Sequence, residues 1–227
     1  MTNKTDLFFD LDHTLWDFDR NSHIAFETIF EKEFPKCNIA HFMTAYIPIN
    51  QACWKLYQNN EITHNQLRYN RLKQSFDAVN WKVTDLKIDQ IATKYIELLP
   101  RSNHLFEGAI DTLDYLFLHY NLHIITNGFE QVQQQKIENS GLHKYFKTIT
   151  NSEMAGQKKP SPIIYQYALS QAKTNKHNAV MIGDCIDADI KGAISFGIDA
   201  IFFNPNKQPI DIEVVQIETL LALKNIF

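Results

Sequence analysis

Apolar and polar positions along the chain follow two rhythms. Residues 6–11, DLFFDL, are a short apolar run that predicts a buried strand. From about 21 to 99 the apolar positions recur at helical spacing. Asn21/Ser22 read as the cap of a helix that puts Phe26, Ile29 and Phe30 on one face. Thr63 opens a second helix aligning Tyr69, Leu72 and Phe76. Thr84 opens a third aligning Ile88, Ile91, Tyr95 and Leu98 or Leu99. After Pro100 the pattern alternates. A helix over 109–119 precedes a strand at 122–126, and a helix over 129–139 ends at Gly141. A weak strand at 146–150 follows, then a helix opened by Ser161-Pro162, with proline at its first position. A strand at 179–183, a helix near 187–196 and a strand at 199–204 complete the series. Within the second of these helices, the polar run QVQQQK (131–136) reads as a solvated face.

Strands alternating with helices imply a parallel sheet covered on both faces, an α/β fold. The helical block falls after the first strand. The expected organisation is therefore a discontinuous core, 1–17 plus 98–227, with an inserted helical cap at 18–97.

Composition narrows the function. The chain has 227 residues, 44% of them hydrophobic, with a net charge of −4. That charge provides no footprint for a nucleic-acid polymer, while a mononucleotide needs only a local positive site. Cys37, Cys53 and Cys185 are odd in number and lack CxxC spacing, which fits reduced thiols in the cytoplasm. The N-terminus has no signal-peptide pattern, and no apolar run approaches the ~20 residues that span a membrane. Nothing in the chain indicates an oligomeric state.

The chemistry-bearing residues gather at strand ends, where open parallel sheets bind ligands. Asp10 and Asp12 end the first strand, and Thr126-Asn127-Gly128 end the second. Lys159-Pro160 precede a helix start, and Gly183-Asp184 with Asp187 and Asp189 end the fourth. Along an extended strand Asp10 and Asp12 point the same way, roughly 6–7 Å apart, which leaves room for a phosphorus between attacking and leaving oxygens. In this reading Asp10 attacks phosphorus and forms an aspartyl phosphate. Asp12 protonates the leaving oxygen, then deprotonates the attacking water. A divalent cation keeps Asp10 ionised, and Asp184 supplies a second carboxylate for it; such an oxygen set suits Mg²⁺. For the phosphoryl group Lys159 offers a charge, Thr126 a hydroxyl, and Asn127 and Gly128 backbone N–H groups at a helix start. The nine histidines give no metal pair of helical spacing: His119 and His123 are four apart, but His123 falls in a strand.

The order Asp10-Leu-Asp12-His-Thr14, Thr126-Asn127-Gly128, Lys159-Pro160 and Gly183-Asp184 through Asp189 resembles the haloacid dehalogenase-like (HAD) hydrolase superfamily. The resemblance implies a Rossmann-like core with a helical cap. It also implies Asp10 as nucleophile and Asp12 as acid/base, with Mg²⁺ held by Asp10, the Asp12 backbone carbonyl and Asp184. Asp189 would be a supporting carboxylate. The stretches at 57–63, 125–146 and 158–169 further resemble noncanonical pyrimidine nucleotidases of the deoxyuridine monophosphate phosphatase type. That likeness implies hydrolysis of nucleoside 5′-monophosphates, and Trp16 departs from its pattern. A carboxylate at Asp12 argues against a dehalogenase. A phosphatase or phosphomutase acting on a sugar phosphate, and a phospho-accepting signalling receiver, remain open alternatives.

Overall fold

The computed structural model describes residues 3–227. They form two compact units, one from residues 3–18 with Asn103–Phe227, the other from Asp19–Ser102.

The first unit is built on a six-stranded, all-parallel sheet: β1 (Asp6–Phe9), β2 (Asn121–Thr126), β3 (Phe146–Asn151), β4 (Ala179–Gly183), β5 (Asp199–Phe203) and β6 (Val215–Ile217). Strand order is β3-β2-β1-β4-β5-β6. The chain winds outward from β1 through β2 and β3, then crosses back and winds the other way from β4. The switch point therefore lies between β1 and β4, and the carboxyl ends of these two strands are where open sheets of this kind bind ligands. β1 and β4 are buried along their whole length, as near-continuous apolar strands covered on both faces must be. Phe8, Met181, Ala200, Phe202, Ile164, Tyr165 and Ala168 belong to one hydrophobic cluster against a sheet face.

The structure adjusts several sequence expectations. β1 stops at Phe9, and the chain turns tightly after it: the Leu15 and Trp16 N–H groups both reach the Leu11 carbonyl, and His13 takes a positive φ of 62°. Asp12 therefore sits in a turn and not on an extended strand. β6 was hidden in sequence because it has three residues, two of them exposed. The helix expected near 187–196 is a π-type turn, Ile186–Lys191, running into α9 (Gly192–Phe196). Ser161 does cap α8 (Pro162–Ala172), accepting from the Ile163 N–H with Pro162 at the first position.

The second unit is helical: most of α1 (Phe18–Glu33), then α2 (Ile39–Gln58), α3 (His64–Ala78) and α4 (Asp85–Leu98). Thr63 caps α3 in a full capping box with Gln66, and Thr84 caps α4. Asn21 and Ser22 do not cap α1, which starts three residues earlier; both are buried, and Ser22 shares a 2.8 Å hydrogen bond with the Tyr95 hydroxyl. The core of this unit is aromatic. Phe26, Phe30, Phe42, Tyr46, Phe76 and Tyr95 pack ring against ring, so Phe76 is a core residue. Among the described residues no helix is long and apolar enough to cross a membrane.

His123 on β2 has a structural role. It stacks on Phe8, its Nε2 lies 3.2 Å from Asp6 Oδ1, and its Nδ1 lies 2.8 Å from the Thr148 hydroxyl. Burial holds its pKa below the usual 6.5. The unfolded chain thus takes up this proton first as pH falls, and stability is lost from about pH 6.5 downward. Asp6 acts in a separate, more acidic range: burial pushes it up, but hydrogen bonds from Thr5, Thr174, Asn121 and His123 leave it lowered. As pH drops from 7 to 5, the melting temperature of wild type is expected to fall relative to that of His123→Gln, whatever the other groups contribute to both. Equal slopes in the two proteins would contradict this assignment.

Candidate active site

Three strand ends and two loops of the sheet unit deliver the site. Asp10 follows β1, and its N–H donates to the Ile182 carbonyl of β4. Thr126 ends β2, Asp184 follows β4, Lys159 lies in the loop before α8, and Asp189 sits in the π-type turn. Lys159 is the hub. Its Nζ lies 2.7 Å from Asp10 Oδ1 and 2.6 Å from Asp189 Oδ1, and it donates to the Ile125 carbonyl at 2.7 Å. Lys159, which the sequence offered as the positive charge of the site, is 2% exposed.

The Asn127 side chain holds this lysine's backbone. Its Oδ1 accepts from the Lys159 N–H at 2.7 Å, and its Nδ2 donates to the Lys159 carbonyl at 2.9 Å. Asn127 therefore fixes the lysine loop through both ends of its amide. Thr14, buried in the turn after β1, donates to Asp184 Oδ1 at 3.0 Å. Asp189 has both oxygens engaged, one by Lys159 and one by the Cys185 N–H at 3.0 Å. Gly183 allows this approach, since a Cβ there would collide with the Asp189 carboxylate.

Thr126 is placed to donate. Its Oγ1 accepts from the Gly128 N–H at 3.1 Å and from Gln133 Nε2 at 2.6 Å. A hydroxyl has two lone pairs and one proton, so two incoming donors leave the proton for an outside acceptor. The Gly128 N–H, expected to meet an anion, is spent on Thr126. The first N–H of α6 (Glu130–Asn139) is likewise taken, by the Glu153 carboxylate at 2.7 Å.

Charge is out of balance at the hub. Oxygens of Asp10, Asp184 and Asp189 lie within 4.8 Å of one another, with one ammonium among them. Burial pushes Asp10 well above the ordinary carboxylate range, and Asp189 and Asp184 add to the rise while Lys159 opposes it. Burial pushes Asp184 up to about 8, with Asp189 as the next cause. Burial alone would lower Lys159, but Asp10 and Asp189 outweigh it and raise its pKa. Two buried carboxylates, one half-buried carboxylate and one lysine leave a surplus of negative charge. Hard oxygen ligands in that arrangement fit a divalent cation.

Asp12 has donors other than Lys159. Its Oδ1 lies 2.6 Å from Lys136 Nζ, and its Oδ2 accepts from Gln133 Nε2 at 3.0 Å. This corrects the reading of QVQQQK as a solvated face, because Gln133 and Lys136 are 1% and 2% exposed. A signal existed in the sequence: Val132 and Ile137, the apolar residues of α6, share one helical face with 133 and 136. Trp16, fully buried, forms part of the wall around Lys136, whose Nζ lies 4.3 Å from its ring.

A family model described as haloacid dehalogenase-like hydrolase matches residues 7–203. The chain belongs to that hydrolase family. It is 33% identical over 202 residues to the pyrimidine 5′-nucleotidase PynA of Streptococcus pneumoniae (strain ATCC BAA-255 / R6), covering 88% of this chain and 84% of that protein. It is 30% identical over 199 residues to the pyrimidine 5′-nucleotidase YjjG of Escherichia coli (strain K12), covering 87% and 85%. Among solved structures, the magnesium-bound HAD-hydrolase YfnB of Bacillus subtilis superposes with a TM-score of 0.89 at 27% identity, covering 99% of each chain.

Proposed function

We propose that the protein is a Mg²⁺-dependent phosphatase that hydrolyses a small phosphomonoester, a pyrimidine nucleoside 5′-monophosphate, through an aspartyl phosphate on Asp10. The observation that carries this reading is the buried Asp10 clamped by Lys159, together with a Thr126 hydroxyl that already accepts from two donors and so has its proton left to give. The nucleotide assignment draws on the relatives PynA and YjjG. The reaction would run in the discontinuous sheet unit, with the helical block acting as its cap. Free cysteines throughout are in keeping with a cytoplasmic enzyme.

Asp10 and Asp184, with the Asp12 backbone carbonyl, would hold Mg²⁺. Bound there, the cation supplies the positive charge that offsets the surplus of the carboxylates and of a phosphoryl group. The rest of the chemistry belongs to the chain. Lys159 and Thr126 hold phosphoryl oxygens, the former by charge and the latter by its hydroxyl proton. Asp10 attacks phosphorus, Asp12 gives a proton to the leaving oxygen, and Asp12 then takes one from the attacking water. Asp189 supports Lys159 by ion pairing, and Asn127 fixes its backbone.

The test is phosphate release from a panel of nucleoside 5′-monophosphates and sugar phosphates, with and without Mg²⁺. Uridine and deoxyuridine monophosphates are expected to give a kcat/KM at least about tenfold above any sugar phosphate, a discrimination of roughly 1.4 kcal/mol, and to need the metal. Faster turnover of a sugar phosphate would overturn the nucleotide assignment. An isomerised sugar phosphate would indicate a mutase, and a stable aspartyl phosphate without turnover a receiver.

A further inference from the structure

We propose that Lys136 and Gln133 are positioning residues that hold the Asp12 carboxylate for activation of water in the second half of the reaction. The proposal rests on the aspartyl-phosphate reading and extends it to two residues of α6. Each Asp12 oxygen has its own donor, Lys136 Nζ at 2.6 Å on Oδ1 and Gln133 Nε2 at 3.0 Å on Oδ2. An aspartate in a turn otherwise rotates freely about its carboxylate torsion; two donors from one helix fix that rotation.

The holders are themselves fixed. Gln133 Nε2 is shared with Thr126 Oγ1 at 2.6 Å, which ties Asp12 to the phosphate-facing hydroxyl through one amide. Its close approach depends on Gly128, because a Cβ there would collide with the Gln133 side chain. Lys136 Nζ lies 4.3 Å from the Trp16 ring and 5.2 Å from the Phe18 ring. A buried ammonium against two aromatic faces is restrained as well as stabilised. Their hydrogen bonds to Asp12 and Thr126 are the route by which they act on the reaction.

The geometry selects the step. Both Asp12 oxygens receive hydrogen bonds, so the carboxylate stands as an acceptor. In the second half-reaction water attacks the phosphorus of the aspartyl phosphate. The P–O bond to Asp10 breaks with its electron pair returning to that carboxylate, and the water's proton passes to Asp12. A misdirected Asp12 slows this step most, because p-nitrophenolate leaves in the first step without needing a proton.

Rapid mixing of the enzyme with p-nitrophenyl phosphate and Mg²⁺ separates the two halves. In Lys136→Met the steady-state rate is expected to fall about tenfold or more. A burst of nearly one p-nitrophenol per active site should precede it, as phosphoenzyme accumulates. Lys136→Arg, which keeps a charged donor, should recover much of the rate and lose the burst. Gln133→Met, close in shape but without the Oδ2 donor, should give a weaker version of the same signature should Lys136→Met fold poorly. Burst and steady-state phases slowed equally, or both within twofold of wild type, would overturn the proposal. Asp10→Asn is the control: turnover or a burst in that variant would overturn the aspartyl-phosphate reading itself, and this inference with it.

Discussion

Asp10→Asn is expected to lower turnover by at least about 10⁴-fold at saturating substrate and Mg²⁺, the scale on which loss of a nucleophile is felt. The substitution keeps the side chain's shape and one carbonyl-type oxygen for Lys159. It removes the electron pair that attacks phosphorus and the charge that a cation would meet. The same change removes one of three like charges from a buried cluster in which burial and neighbouring carboxylates already push Asp10 upward. Without metal, the variant is therefore expected to be as stable as wild type at pH 8, or more so. Inactivity together with lost stability would point to a folding defect. Activity within tenfold of wild type would remove Asp10 from the chemistry.

Lys159→Met is expected to damage both function and fold. Lys159 is the ammonium that bridges Asp10 and Asp189 inside the protein. Removing one member of a buried, hydrogen-bonded charge group leaves the others uncompensated, at a cost of about 3–5 kcal/mol. The sign of its pH dependence follows from the carboxylates. Asp10 and Asp184 have folded pKa values above their ordinary 3.8, so their ionisation costs stability as pH rises. Without Lys159 that cost grows, and the variant's deficit should be larger at pH 8 than at pH 5. Chemical denaturation of the metal-free proteins at the two pH values measures it. A deficit below about 1 kcal/mol at both would contradict a buried hub.

The part of this molecule legible in sequence was the part whose chemistry sits at strand ends. Asp10, Thr126, Lys159 and Asp184 each follow an apolar run or precede a capped helix, and the parallel sheet brings such positions together by its topology. The capping threonines Thr63 and Thr84 were legible for the same local reason, a side-chain oxygen within reach of the next free N–H groups. What stayed hidden depends on distant partners. Gln133 and Lys136 look like surface because their burial is compensated by Asp12 and Thr126, and Asp12 lies more than 120 residues away. Asn127 reads in sequence only as a backbone N–H for phosphate, and the task of its side chain appears once Lys159, 32 residues on, is placed against both ends of its amide. Asn21 and Ser22 have the composition of a cap, but a buried tyrosine hydroxyl claims Ser22 and α1 begins earlier.

The central claim is a covalent bond between phosphorus and the Asp10 carboxylate. Enzyme quenched during turnover of uridine monophosphate can be treated with borohydride, which reduces an acyl phosphate to an alcohol, and then digested for peptide mass analysis. The account predicts conversion of Asp10 to homoserine, dependent on substrate and absent when substrate is omitted. Full turnover with Asp10 unmodified, or reduction at a different carboxylate, would contradict it.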